Sequence, residues 1–112
     1  MTYTESKEKT LMERRIVAIV GSSKFKAEHL GVAQKETLRG SIVLLAGFWH
    51  HVDKVPITDA QKDSLDLLML DKVELATEVF VVNPKGYVGK STRQAIDRAR
   101  EPASRSRTRA RL

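Results

Sequence analysis

Two short segments combine glycine, hydroxyl and lysine side chains in a pattern that suits an anion: Gly21-Ser22-Ser23-Lys24 and Gly89-Lys90-Ser91-Thr92. The first lies between an apolar run and a stretch of helical spacing; the second opens a helix in the loop that follows another apolar run. At such a turn the free backbone N–H groups, the hydroxyls and the positive end of the helix dipole converge, and a phosphate is the natural guest. The same residues also have a purely structural use, glycine in a tight turn and serine as a helix cap. Two turns of this kind on neighbouring strands favour a ligand.

Other residues define what the chemistry is not. Gly89-Lys90-Ser91 has the form of the end of a P-loop, but the glycine which that motif needs five residues before its Gly-Lys is here Pro84, with a fixed φ and no N–H to offer. The apolar run Ile42–Leu45 is followed by Ala46-Gly47 and supplies no Asp for Mg²⁺. His50, His51 and Asp53 lack metal-ligand spacing, because adjacent side chains of an extended loop point apart. They are expected to pack in the loop or face solvent, and no metal or cofactor is expected. Phe48, Trp49 and Tyr87 fall on loops after strands, where a ring either stacks on a base or closes the core. Asp63, Asp66, Asp71 and Glu74 read as the solvated face of a helix.

The elements that hold these loops are legible from hydrophobic spacing. Ile16-Val17-Ala18-Ile19-Val20 is a continuous apolar run, the pattern of a strand buried on both faces. Phe25, Leu30, Ala33, Thr37 and Leu38 predict a helix from Phe25 to about Arg39, stopped by Gly40. Residues 41–46 predict a second strand. Thr58-Asp59-Ala60-Gln61 has the form of a capping box and opens a long helix to about Leu75, with Leu65, Leu68, Met69, Lys72 and Ala76 on its inner face. Glu78–Val82 reads as the third strand, and a second capping box, Ser91-Thr92-Arg93-Gln94, as the start of the third helix. Alternating strands and helices make the fold class α/β: a three-layer sandwich with a short parallel sheet of order 2-1-3, flavodoxin-like or Rossmann-like. Ligands of such sheets sit at the carboxyl ends of the strands, here the loops 21–24, 46–56 and 83–91.

Composition sets the outer bounds. A chain of 112 residues with 41% hydrophobic and 30% charged residues fits one small globular domain. With no cysteine, disulfides, thiol nucleophiles and thiolate metal sites are excluded. No apolar run approaches the roughly 20 residues of a membrane span, and the polar start is not a secretory leader, so a cytoplasmic protein without membrane contact is expected. The net charge is +6, yet five Arg against one Glu lie between Arg100 and Leu112, so most of the basicity belongs to the tail. Residues 1–14 read as a polar N-terminal segment, 15–99 as the domain, and 100–112 as a disordered Arg-rich tail.

Residues 15–99 resemble the nucleoside 2-deoxyribosyltransferase-like superfamily, and within it a group of small bacterial and phage proteins. The resemblance rests on the first strand ending in Gly21-Ser22, Phe25-Lys26 at the helix start, Leu45-Ala46-Gly47-Phe48 with a following His, Lys72-Val73-Glu74-Leu75-Ala76 and Glu78-Val79-Phe80-Val81-Val82-Asn83. Its most specific part is Gly86-Tyr87-Val88-Gly89-Lys90-Ser91-Thr92-Arg93. It implies a ligand held by Gly21, Ser22, Ser23, Phe48, Gly86, Tyr87, Gly89, Ser91 and Thr92. It also implies chemistry at the N-glycosidic bond of a nucleoside or nucleotide, with a Glu on the third helix as nucleophile or charge stabiliser and a nearby Asp aiding proton transfer. Ala95 stands where that Glu belongs, with its methyl expected to face the cleft, and Lys90 adds positive potential at the mouth.

The resemblance further implies a fourth parallel strand after the third helix. The tail shows no apolar segment for one, so the edge at Val79–Val82 is expected bare and open to a second copy of the chain. Three functions follow as expectations: a nucleotide-binding protein without the catalytic Glu, an N-glycosidase or deoxyribosyltransferase using Asp71 or Asp97 instead, and an interaction protein whose Arg tail holds nucleic acid without sequence preference.

Overall fold

Strand β1 (Ile16–Gly21) is the axis of the computed structural model, which describes residues 14–86, 88–101 and 109–111. Its apolar run is buried on both faces, with Val17, Ala18, Ile19 and Val20 wholly inaccessible. On one side lies β2 (Ile42–Leu44), parallel, with Ile16 opposite Ile42; on the other lies β3 (Glu78–Val82), parallel, with Val17 opposite Glu78 and Gly21 opposite Val82. The sheet is therefore parallel with the core order 2-1-3.

A fourth strand, β4 (Arg109–Arg111), runs parallel to β3 with Glu78 opposite Arg109 and Phe80 opposite Arg111. This corrects the expectation of a missing fourth strand, and that of a structureless tail at these three residues. The bare edge expected along β3 is occupied at Glu78–Phe80. An edge strand is recruited by the unpaired N–H and C=O groups of its neighbour, a backbone demand that an Arg-Ala-Arg sequence meets without any apolar pattern. Residues 1–13, 102–108 and 112, on which the remaining expectations for the two ends fall, lie outside the described residues.

Helices cover both faces. Helix α1 (Lys26–Leu38), preceded by a 3₁₀ turn over Ser23–Phe25, packs on the face carrying Val17, Ile19 and Val82. Helices α3 (Asp59–Leu75) and α4 (Lys90–Ala99) pack on the face of Ala18, Val20, Val79 and Val81 through Val73, Ala76, Ala95, Ile96 and Ala99. A one-turn helix, α2 (His50–Asp53), ends at Lys54 in the left-handed region, φ 56°. The Thr58 capping box is formed: the Thr58 hydroxyl accepts from Gln61 N–H at 3.1 Å and the Gln61 side chain accepts from Thr58 N–H at 2.9 Å.

Three expectations about helix faces are corrected. The inner face of α1 is the line Phe25, His29, Val32, Ala33 and Glu36, while Leu30 and Leu38 are exposed. Leu68 of α3 is likewise exposed, and Val73 takes the central buried place. Helix α4 begins at Lys90 with Gly89 as its cap and no side-chain cap bond, so the expected Ser91–Gln94 capping box is absent. Starting one residue earlier places Ser91 inside the first turn, and its hydroxyl accepts instead from Lys62 Nζ at 3.2 Å.

Polar contacts anchor the amino ends of the strands. Buried Glu36 accepts from Ser41 at 3.1 Å and pairs with Arg15 at 3.3 Å and Arg39 at 3.1 Å, while Arg15 also binds Glu78. The Thr77 hydroxyl accepts from Ile16 N–H at 2.9 Å and donates to Ile16 O at 3.1 Å, which locks the β1–β3 register. At the other end Gly21 has φ 141°, a conformation open to glycine, and a Cβ there would run into Val82 O. Gly21→Ala is expected to destabilise the fold by about 2 kcal/mol or more, from strain and clash together, read as a lower midpoint in urea unfolding.

Candidate functional site

Because β1, β2 and β3 are parallel, their carboxyl ends deliver three loops to one side of the sheet. There they border a cleft of about 1130 Å³. Gly21, Ser22, Ser23 and Lys24 come from the end of β1, Ala46, Gly47 and Phe48 from the end of β2, and Gly89, Lys90, Ser91 and Thr92 from the start of α4. The wall opposite belongs to α3, through Lys62, Leu65, Asp66, Met69 and Lys72.

Seven of the nine expected ligand residues thus meet in one place: Gly21, Ser22, Ser23, Phe48, Gly89, Ser91 and Thr92. Gly86 does not border the cleft; it sits in the exposed turn Pro84–Gly86 with φ 76°. Tyr87 lies outside the described residues. Ser22 does what a capping serine does, its Oγ accepting from Lys24 N–H at 3.3 Å. Helix α4 differs. Its first internal bond runs from Arg93 N–H to Gly89 O at 2.9 Å, so the N–H groups of Lys90, Ser91 and Thr92 have no partner within the helix and no side-chain cap.

The electrostatics favour an anion. Lys24, Lys62, Lys72 and Lys90 border the cleft against two carboxylates, Asp63 and Asp66. Lys62 Nζ donates to both Asp66 oxygens, at 3.0 and 3.1 Å, as well as to Ser91, and so ties α3 to the start of α4. Lys72 Nζ donates to Leu45 O at 2.8 Å, which fixes α3 against the end of β2. These two lysines shape the cleft while lending it charge. The reading of the α3 carboxylates as a solvated face holds for exposed Asp63, which also borders the cleft, and is corrected at the half-buried Asp66, paired with Lys62, and Glu74, which pairs with Arg98 of α4 at 2.7 Å.

His50 and His51 both line the cleft, His51 exposed and His50 packed in the loop. Their ring centroids are 4.1 Å apart, because the segment coils into α2 where an extended loop with diverging side chains is expected, and His50 also stacks on Phe48 at 6.0 Å. Burial, together with the positive surroundings of His50, Lys24 and Lys62, holds His51 below the usual histidine range. Among the described residues no group of three or more His, Asp or Glu side chains is placed to hold a metal ion.

The carboxylates and the alanine singled out for catalysis are elsewhere. Asp71 and Asp97 are exposed and border no part of the cleft. Ala95, expected to face the ligand, is wholly buried in the core with Val79, Val81 and Ile96. Gln94 borders the cleft along with Lys90, Ser91 and Thr92 of α4, since neighbouring residues of a helix point about 100° apart and Ala95 turns to the core.

Hydrophobic spacing missed His29. It is 1% exposed, stands edge-on to buried Trp49 with ring centroids 5.0 Å apart, and lies against the inner side of the Gly21 turn. Neither ring nitrogen has a hydrogen-bond partner. Trp49 therefore closes the core, while Phe48 faces the cleft. The signal for His29 in the sequence is its place four residues after Phe25 and four before Ala33, on the face that also carries Val32.

A scan of protein-family models finds none that matches the chain, and searches of curated proteins and of solved structures find no match either.

Two outcomes follow from these positions. Burial holds the His29 imidazole below its ordinary range, with the Ser22 backbone and Glu28 pulling the other way. The unfolded chain therefore takes up a proton near pH 6.5 that the folded chain refuses, so stability is full above that pH and declines as the pH falls toward the depressed folded value. Melting temperatures between pH 7.5 and 5 should fall less steeply for His29→Leu than for the wild type. Ala95→Glu should cost about 3–5 kcal/mol by burying an unpaired charge, whereas Gln94→Glu should stay within about 0.5 kcal/mol of the wild type in denaturant titrations.

Proposed function

We propose that the protein binds a nucleotide, with phosphate against the start of α4 and the Gly21-Ser22-Ser23 turn, as a nucleoside 2-deoxyribosyltransferase-like protein without the catalytic Glu of that superfamily. The observation that carries this reading is that both glycine-hydroxyl turns border the same cleft, with four lysines around it. Its volume of about 1130 Å³ admits a small molecule such as a nucleotide. The uncapped first turn of α4 adds three backbone donors and the positive helix end, which suit a phosphate dianion.

Binding without cleavage is the reading that the carboxylates favour. A glycosidic transition state needs an ionised carboxylate near the sugar carbon. The cleft's two carboxylates, Asp63 and Asp66, lie on α3 among the lysines, with Asp66 paired to Lys62, and the α4 residues that border it, Lys90, Ser91, Thr92 and Gln94, carry none.

Nucleoside 5′-monophosphates are expected to raise the melting temperature and the matching nucleosides to raise it far less; ligand at 100 times its Kd stabilises by about 2.7 kcal/mol. Ser22→Asp should remove the shift by setting a negative charge where the phosphate sits. Equal shifts for nucleoside and nucleotide would sink the phosphate assignment.

A further inference from the structure

Beside the cleft lies a second, smaller pocket of about 420 Å³ that shares Phe48 and Leu65 with it as a common wall. Its other side is the connection from α2 to α3, with Val55, Pro56 and Ile57. It differs from the cleft in charge: four lysines and two aspartates border the cleft, whereas among the described residues no charged side chain borders this pocket. Of the two polar side chains described there, Gln61 has its oxygen committed to the Thr58 capping box, which leaves its NH₂ group and the Ser64 hydroxyl, both on exposed side chains.

Resting on the nucleotide reading above, we infer that this pocket is a subsite for the ring of the bound ligand, holding it by apolar contact and stacking on Phe48, so that the protein selects for a ring joined to a phosphate and not for one particular base. Continuity carries the assignment. Phe48 and Leu65 line both cavities, so a ring attached to an anion seated among the lysines can pass from the charged cleft to the uncharged pocket along the Phe48 face. Phe48 is also already the end of an aromatic row, stacked on His50 with an interplanar angle of 26°. Discrimination among bases requires hydrogen-bonding groups that a wrong base leaves unpaired, worth orders of magnitude where they are built in. Walls of Val55, Pro56, Ile57 and Leu65 supply none, and the polar groups at the pocket, on Gln61 and Ser64, belong to exposed side chains that water satisfies when a base does not. Apolar contact instead accepts any planar ring of the right size, with modest differences in affinity.

Calorimetric titration of the full chain with inorganic phosphate, ribose 5-phosphate, adenosine 5′-monophosphate, uridine 5′-monophosphate and phenyl phosphate tests this. The two nucleotides should agree within about tenfold, phenyl phosphate should bind more tightly than inorganic phosphate, and ribose 5-phosphate should be weaker than either nucleotide by about tenfold or more. Ile57→Glu should remove the advantage of the ringed ligands and leave inorganic phosphate unchanged, which also shows that the variant is folded. Ribose 5-phosphate binding as tightly as the nucleotides, a strong preference for one base, or an Ile57→Glu variant that still favours the ring would each overturn the subsite while leaving the phosphate site standing. Absence of binding by every phosphate probe would overturn the nucleotide reading beneath it and this inference together.

Discussion

The structure depends on one strand being buried on both faces. Val17 to Val20 of β1 have no accessible surface, and each side chain serves one of two cores: Val17 and Ile19 the layer under α1, Ala18 and Val20 the layer under α3 and α4. Full burial of an aliphatic side chain is worth roughly 1.5–3 kcal/mol, so a one-residue slip of β1 would exchange both layers and lose the fit of each. The polar groups at the amino end hold that register. Thr77 bonds both backbone groups of Ile16, and Arg15 bridges Glu36 of α1 to Glu78 of β3.

A register held at one end determines geometry at the other. With β1, β2 and β3 parallel, the Gly21 turn must emerge beside the end of β2, and the crowded contact with Val82 and His29 leaves room for glycine alone. The cleft follows from this, because three loops rise together and α3 leans across them. Lys72 and Lys62 hold α3 there by reaching to Leu45 O and to Ser91. Charge at the cleft is therefore partly a by-product of packing: the same ammonium groups that tether a helix also make the site attractive to anions. Several groups bordering the cleft have structural work as well, Ser22 as a cap and Trp49 next door as a lid on buried His29.

Two polar side chains face inward from α1, and they behave differently. Glu36 is surrounded by Arg15, Arg39 and Ser41, so its burial is compensated. His29 has no hydrogen-bond partner and is tolerated because a neutral imidazole packed edge-on against an indole loses less on burial than a charge does. The exposed Leu30 and Leu38 of α1, and Leu67, Leu68 and Leu75 of α3, are the counterpart of this arrangement. On α1 apolar residues thus lie outside while His29 and Glu36 face in, whereas α3 presents Met69 and Val73 to the core and still leaves three leucines outside.

What the sequence determined by itself is the sequence of elements and their sense. Apolar runs at 16–20 and 78–82, the Thr58 capping box and the glycine stops are local signals, because backbone preference and hydrophobic period act over a few residues. Parallel pairing in the order 2-1-3 follows from alternating strands and helices, and with it the placement of most of the expected ligand residues at one end of the sheet. Tertiary structure alone decided which helix faces turn inward, that His29 and Glu36 are buried, that Ala95 is core and Gln94 borders the cleft, and that Lys62, Asp66 and Lys72 join it. It also decided that Arg109–Arg111 pairs along β3, since an edge is completed by backbone hydrogen bonds that leave no mark on side-chain pattern. The physical reason is common to these cases. Neighbouring residues of a helix point about 100° apart, so a modest rotation about the helix axis changes which of them faces inward, and only packing against the sheet settles that rotation.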